Sequence, residues 1–109
     1  MAYDAVLAER IRNVLFRRKG LTERKMFGGV AFMLRGNMCC GVLDDELILR
    51  LGSDLGDKVL AEPRTRKFDF TGRPMRGMVV VEAEGIARDE DLRQWVLRAV
   101  DFAKTLPPK

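Results

Sequence analysis

Apolar residues return at helical spacing near the amino end. Tyr3, Leu7, Ile11, Val14 and Leu15 fall on one stripe, with Asp4, Glu9, Arg10 and Arg12 between them. The spacing predicts an amphipathic helix over Tyr3–Arg18. Arg17, Arg18 and Lys19 suit the negative pole of its dipole, and Gly20 is a natural stop. The period then shortens. Met26, Phe27, Val30, Phe32, Met33 and Leu34 crowd the segment Arg24–Arg35, interrupted at Gly28-Gly29, which predicts a strand with a glycine bulge or bend.

Gly36-Asn37 supplies two residues that tolerate positive φ, as a tight hairpin turn requires, and Met38–Leu43 returns as the second strand. Asp44-Asp45 turns the chain into Glu46–Leu51, where Leu47, Leu49 and Leu51 alternate with Ile48 and Arg50. Ser53 or Asp54 caps a short helix through about Ala61, and Pro63 cannot continue it. Phe68 and Phe70 alternate with Lys67 and Asp69 in a fourth strand, Thr71-Gly72-Arg73-Pro74 is a turn by composition, and Met75–Ala83 is a fifth strand. Asp89-Glu90-Asp91 opens a last helix whose buried face is Leu92, Trp95, Val96, Ala99, Val100 and Ala103, ended by Pro107-Pro108.

The order α-β-β-β-α-β-β-α, with short connections throughout, predicts an α+β domain. We expect a two-layer α/β sandwich in which a mostly antiparallel five-stranded sheet carries its helices mainly on one face, with residues 1–109 forming a single domain. Several strands are apolar on both faces. Phe27, Ala31 and Met33 alternate with Met26, Val30, Phe32 and Leu34, and Val79 and Val81 with Met78 and Val80. Three helices leave part of a second sheet face uncovered, and an exposed apolar face marks an interface, so docking of a protein or of a second copy is expected there.

Composition agrees with an ordinary globular domain, at 47% hydrophobic and 33% charged residues. Charged residues break every apolar run at the amino end, as an export signal would not, and no run reaches the roughly 18 residues of a membrane span. With two adjacent cysteines instead of spaced ones, a reducing cytoplasm is the expected location. The formal net charge of +4 is unevenly spread. Arg10–Lys25 holds seven bases against Glu23, a net of +6, whereas Glu82–Asp101 carries a net of −3.

Little in the sequence points to catalysis. Histidine is absent, so Cys39 and Cys40 lack their usual base, and two cysteines make a poor zinc site. As neighbours on a strand they are expected to point to opposite faces, at most one of them buried under the helices. Glu82 and Glu84 share a strand face without a nucleophile or metal cluster beside them, and Gly28-Gly29 lacks the Lys-Ser/Thr of a phosphate loop. No catalytic residue, metal or cofactor is expected. Arg64, Arg66, Lys67, Arg73 and Arg76 bracket Phe68 and Phe70, a pattern that fits weak, non-specific nucleic-acid binding if the phenylalanines face outward, and plain solvation if they face the core.

Lys25-Met26-Phe27-Gly28-Gly29-Val30-Ala31-Phe32, followed by Gly36-Asn37-Met38, resembles the hairpin of TfoX/Sxy N-terminal domains. The leucine strand Glu46–Leu51, the Phe68/Phe70 strand, Met78–Val81 and Asp91-Leu92 with Trp95 are similar in order and spacing. The resemblance implies a regulatory or adaptor domain of the kind found in bacterial competence regulators, where a helical domain follows it, and also found alone. It implies partner binding and supplies no catalytic residues. The candidate partner-binding residues are Phe27, Gly28 and Gly29 on the hairpin and Arg66, Lys67 and Arg73 on the basic edge.

Overall fold

The structure is a computed structural model describing residues 3–26, 28–69 and 77–108. The chain runs through helix α1 (Ala5–Leu15), strands β1 (Leu21–Met26), β2 (Gly29–Leu34), β3 (Asn37–Leu43) and β4 (Glu46–Arg50), and helix α2 (Ser53–Val59). Strands β5 (Thr65–Lys67) and β6 (Met78–Val81), a 3₁₀ turn at Ala83–Ile86 and helix α3 (Asp89–Ala103) follow. All strand pairs are antiparallel in one sheet of order β1-β2-β3-β4-β6-β5.

The α+β architecture and the helix-lined face are as expected, but the sheet has six strands rather than five. The expected bent strand Arg24–Arg35 is in fact a hairpin, with Gly28 at φ +77 between β1 and β2. Its first arm carries Thr22, Glu23, Arg24 and Lys25, so it shows no apolar alternation; it is an edge strand, where charged side chains also deter pairing with another sheet. The next turn is displaced by one residue. Arg35 and Gly36, at φ 54 and 83, hold the two positive-φ positions of a tight hairpin. Asn37 is buried in β3, and its side-chain amide donates to the Pro107 carbonyl at 2.8 Å. The Phe68 strand is only Thr65–Lys67, with Phe68 just beyond it, while Phe70 and the Thr71–Pro74 turn lie outside the described residues.

One sheet face packs on the helices. The row Phe32, Cys40, Leu49 and Val79 crosses the sheet in register, flanked by the row Val30, Val42, Leu47 and Val81. These join Ile11 and Leu15 of α1 and Val96, Ala99 and Val100 of α3 in one core. Each large side chain so buried contributes about 1.5–3 kcal/mol. Asp4 caps α1, its carboxylate accepting from the Val6 and Leu7 amides at 2.9 and 3.1 Å. That cap, together with a bridge from Tyr3 to Asp44, starts the helix at Ala5 instead of Tyr3.

Two ion pairs fix α1. Arg10 bonds the Asp89 carboxylate at 2.9 Å and the Ile86 carbonyl at 2.7 Å, at the start of α3. Arg12 grips Glu23 of β1 with two hydrogen bonds, at 2.7 and 2.8 Å. The guanidinium hydrogen bonds hold Glu23 below its ordinary pKa against a smaller opposing effect of burial. With the folded pKa below the unfolded one, this pair stabilises the fold above the ordinary carboxylate range, and the contribution fades as pH falls through the folded value.

Two stability measurements follow from this architecture. A Cβ at Gly29 would be driven into the Val42 carbonyl oxygen, so Gly29→Ala is expected to cost about 2 kcal/mol or more in denaturant unfolding, against about 1 kcal/mol at exposed Gly28. Equal costs at the two positions would contradict the close approach. Glu23 is largely solvated, so Glu23→Gln is expected to lose only about 0.5–1 kcal/mol at neutral pH, with variant and parent converging in acid. A difference that persists undiminished in acid would rule out the ion pair as its source.

Candidate functional site

The other sheet face is built from the alternate residues of the same strands. One row, Arg24, Ala31, Gly41, Ile48, Val80 and Arg66, crosses all six strands in register, apolar at the centre and basic at both edges. Ile48, Phe68, Met78 and Val80 form a small second core there, with Met38 and Leu43 half-buried against it. Among the described residues, none from a helix joins this cluster. The uncovered apolar surface expected from the strand pattern is therefore modest: Met33, Met38 and Leu43 are half-buried, and the large apolar side chains most exposed among the described residues, Val6 and Phe16, lie on or at the end of α1.

A groove lies at each end of this face. The larger, of about 550 Å³, runs between Met38, Arg50, Met78 and Phe102. The smaller, of about 150 Å³, lies between Leu43, Glu46, Arg66 and Phe68. In the smaller one Arg66 meets both carboxylate oxygens of Glu46, at 2.6 and 3.0 Å. Burial raises the Glu46 pKa, Arg66 opposes this, and Asp45, Glu82 and Asp44 add to the rise.

The expected site residues do not converge. Phe27 and Arg73 lie outside the described residues. Gly28 is at an exposed turn, Gly29 is pressed against the Val42 carbonyl, and both flank the β1 edge. Arg66 and Lys67 lie on β5, the opposite edge, five strand spacings or about 24 Å away. Arg66 is already committed to Glu46, and Phe68 faces the second core, as the solvated reading of this basic stretch requires. Arg24, Met38 and Arg50 were missed by sequence reasoning. Alternation with Leu47 and Leu49 was the available sign that Glu46, Ile48 and Arg50 share a face; nothing in the local pattern signals that Phe102 comes up beside Arg50.

Cys39 and Cys40 depart from expectation in a different way. Phe32 pairs with Cys40 but Met33 pairs with Met38, so Cys39 is the extra residue of a β-bulge. The bulge breaks the alternation and turns both side chains to the helix side, where they are 1% and 0% exposed. A hydrogen bond with Cys39, and burial with it, push the Cys40 thiol well above its ordinary pKa.

The basic stretch Arg10–Lys25 is likewise divided. Arg10 and Arg12 are consumed by ion pairs, whereas Arg17, Arg18, Lys19, Arg24 and Lys25 have none among the described residues. Arg35 joins the first three, since its amide donates to the Gly20 carbonyl at 2.9 Å.

The model of the TfoX N-terminal domain matches residues 14–103, from the last turn of α1 through all six strands to the end of α3. The chain belongs to the TfoX N-terminal domain family. It is thus a competence-regulator-like domain. Neither a curated protein nor a solved structure matches it. In this TfoX N-terminal domain the hairpin motif has a structural account: Gly28 makes the β1–β2 turn, Gly29 admits the Val42 carbonyl, Gly36 completes the next turn and Asn37 holds the carboxyl-terminal segment. No described helix is long and apolar enough to cross a membrane.

The cysteine geometry is open to direct measurement. Neither thiol of the folded protein is expected to react with a soluble disulfide reagent on the time scale of minutes, and both should react once denaturant is added. Rapid labelling of one thiol in the native state would refute the bulged arrangement.

Proposed function

We propose that this domain is a non-enzymatic regulatory module that docks a protein through its second sheet face, with a second copy of the chain as the first partner to test. The observation that carries the reading is the half-buried set Met33, Met38 and Leu43 around the row from Arg24 to Arg66, whose apolar centre, Ala31, Ile48 and Val80, is itself buried, with no described helix residue in the core cluster of this face. Both sheet edges carry charged residues, Glu23, Arg24 and Lys25 on one and Arg66 and Lys67 on the other, which disfavours strand addition and leaves the face as the route of contact. Six strands give a face of roughly 400 Å² in projection, small for a specific interface, so the expected association is weak and transient.

A second reading is supported by the corner where Arg17, Arg18, Lys19 and Arg35 meet. Phe16 stands 69% exposed beside them, with the Arg17 guanidinium 5.3 Å from its ring. Unpaired bases around an exposed ring suit a single-stranded nucleic acid, gripped by its phosphates and stacked on the ring.

One experiment separates the two. Light scattering from micromolar to millimolar protein is expected to give a mass rising toward a dimer, unaffected by short single-stranded DNA, and Leu43→Asp should hold the chain monomeric. A wild-type chain monomeric at every concentration would sink self-docking. Binding of DNA that weakens steeply with salt and is lost in Phe16→Ala would move the function to the basic corner.

A further inference from the structure

Arg50 differs from the arginines of the neighbouring grooves. It is half-buried on the second sheet face, paired across the strands with Met78, and has no carboxylate partner among the described residues. Its guanidinium instead lies 5.7 Å from the centre of the Phe102 ring. In the groove beside Leu43 the arginine is already neutralised, Arg66 by Glu46 at 2.6 Å. A third groove, of about 220 Å³ beside α1 and α3, has Arg10 paired with Asp89 at 2.9 Å. The groove beside Phe102 therefore holds a partly desolvated cation whose counter-charge the described chain does not supply, a situation that favours an incoming anion.

The walls narrow the choice of anion. Met38, Met78 and Phe102 face the groove with thioethers and a ring, surfaces that adapt to flat or irregular apolar bodies. Its floor is backbone. Gly52 and Gly77 both have positive φ, at 81 and 87, and a Cβ on Gly77 would come within 3.0 Å of the Gly52 carbonyl carbon. At Gly52 a Cβ would come within 2.5 Å of the Phe102 ring, so glycine is what allows the ring to lie beside Arg50. A volume of about 550 Å³ is in the range of small-molecule sites.

We infer that the groove formed by Arg50, Phe102, Met38 and Met78 over the Gly52–Gly77 backbone binds a small molecule with one carboxylate and an apolar, preferably aromatic, body. The carboxylate meets the Arg50 guanidinium and the body lies on Phe102 and the methionines. The groove shares Met38 with the docking face, but Leu43 does not line it, so a change at Leu43 bears on docking and leaves the groove lining intact.

The test titrates naphthylacetate and its uncharged amide, naphthylacetamide, into the Leu43→Asp chain and the wild type, following backbone amide resonances and heat. The acid is expected to shift Gly52, Ser53 and Gly77 saturably in both chains, and to bind at least about tenfold more tightly than the amide, the usual weight of a charged hydrogen bond. Arg50→Gln should abolish that preference and Arg50→Lys restore part of it. Equal affinity for acid and amide, shifts confined to other parts of the sheet, or no saturation at millimolar ligand would each overturn the inference. The amide comparison needs no variant at Arg50, so it stands even if Arg50→Gln fails to fold.

Discussion

The pairing of β2 with β3, and the one-residue slip within it, sets what both sheet faces present. Up to Phe32 and Cys40 the register is regular; beyond the slip Met33 pairs with Met38 and Leu34 with Asn37. The extra residue, Cys39, sends two successive small side chains into the helix-covered core, where both are buried. It also places Met38 on the second face and Asn37 in the first. Asn37 then reaches the Pro107 carbonyl and ties the segment beyond α3 to the end of the sheet. A regular ladder would have exposed one thiol on the second face and left the asparagine without that partner.

Charge is arranged around this frame with a clear division of labour. The arginines that face a helix or a neighbouring strand are paired: Arg10 with Asp89, Arg12 with Glu23, Arg66 with Glu46. Such pairs are worth little individually where water reaches them, but each joins two elements distant in sequence and so selects a single packing. Among the described bases without such partners, Arg17, Arg18, Lys19 and Arg35 gather at the corner ending α1 and Arg24 and Arg50 lie on the second sheet face, while Lys25, Lys58, Lys67, Arg93 and Lys104 are spread over the edge strands and α2 and α3.

The second face combines a small apolar cluster, a charged rim on both edge strands and a groove at each end. Both thiols are sealed in the other layer, one of them with its ionisation suppressed. The groove at Arg50 adds a charge without a carboxylate partner among the described residues, and it shares Met38 and Met78 with the apolar cluster of this face.

Much of this was legible in the chain itself. Period 3.6 at Leu7, Ile11 and Leu15 and again from Leu92 to Ala103 reads directly as two amphipathic helices, and period 2 from Leu47 to Leu51 as a strand, because the pattern of burial is written into spacing. The Met26-to-Met38 motif likewise carried the family. The edge strand β1 was only partly legible, since an edge needs no alternation and its last residues, from Arg24, read as the start of one bent strand. The bulge at Cys39, which depends on how two strands fit and not on either alone, was not legible. Bringing Arg35 to Gly20, Glu23 to Arg12 and Phe102 to Arg50 required the fold itself. Helical and strand periods are local consequences of backbone geometry, whereas register, edge position and the meeting of distant side chains are settled only when the two layers pack.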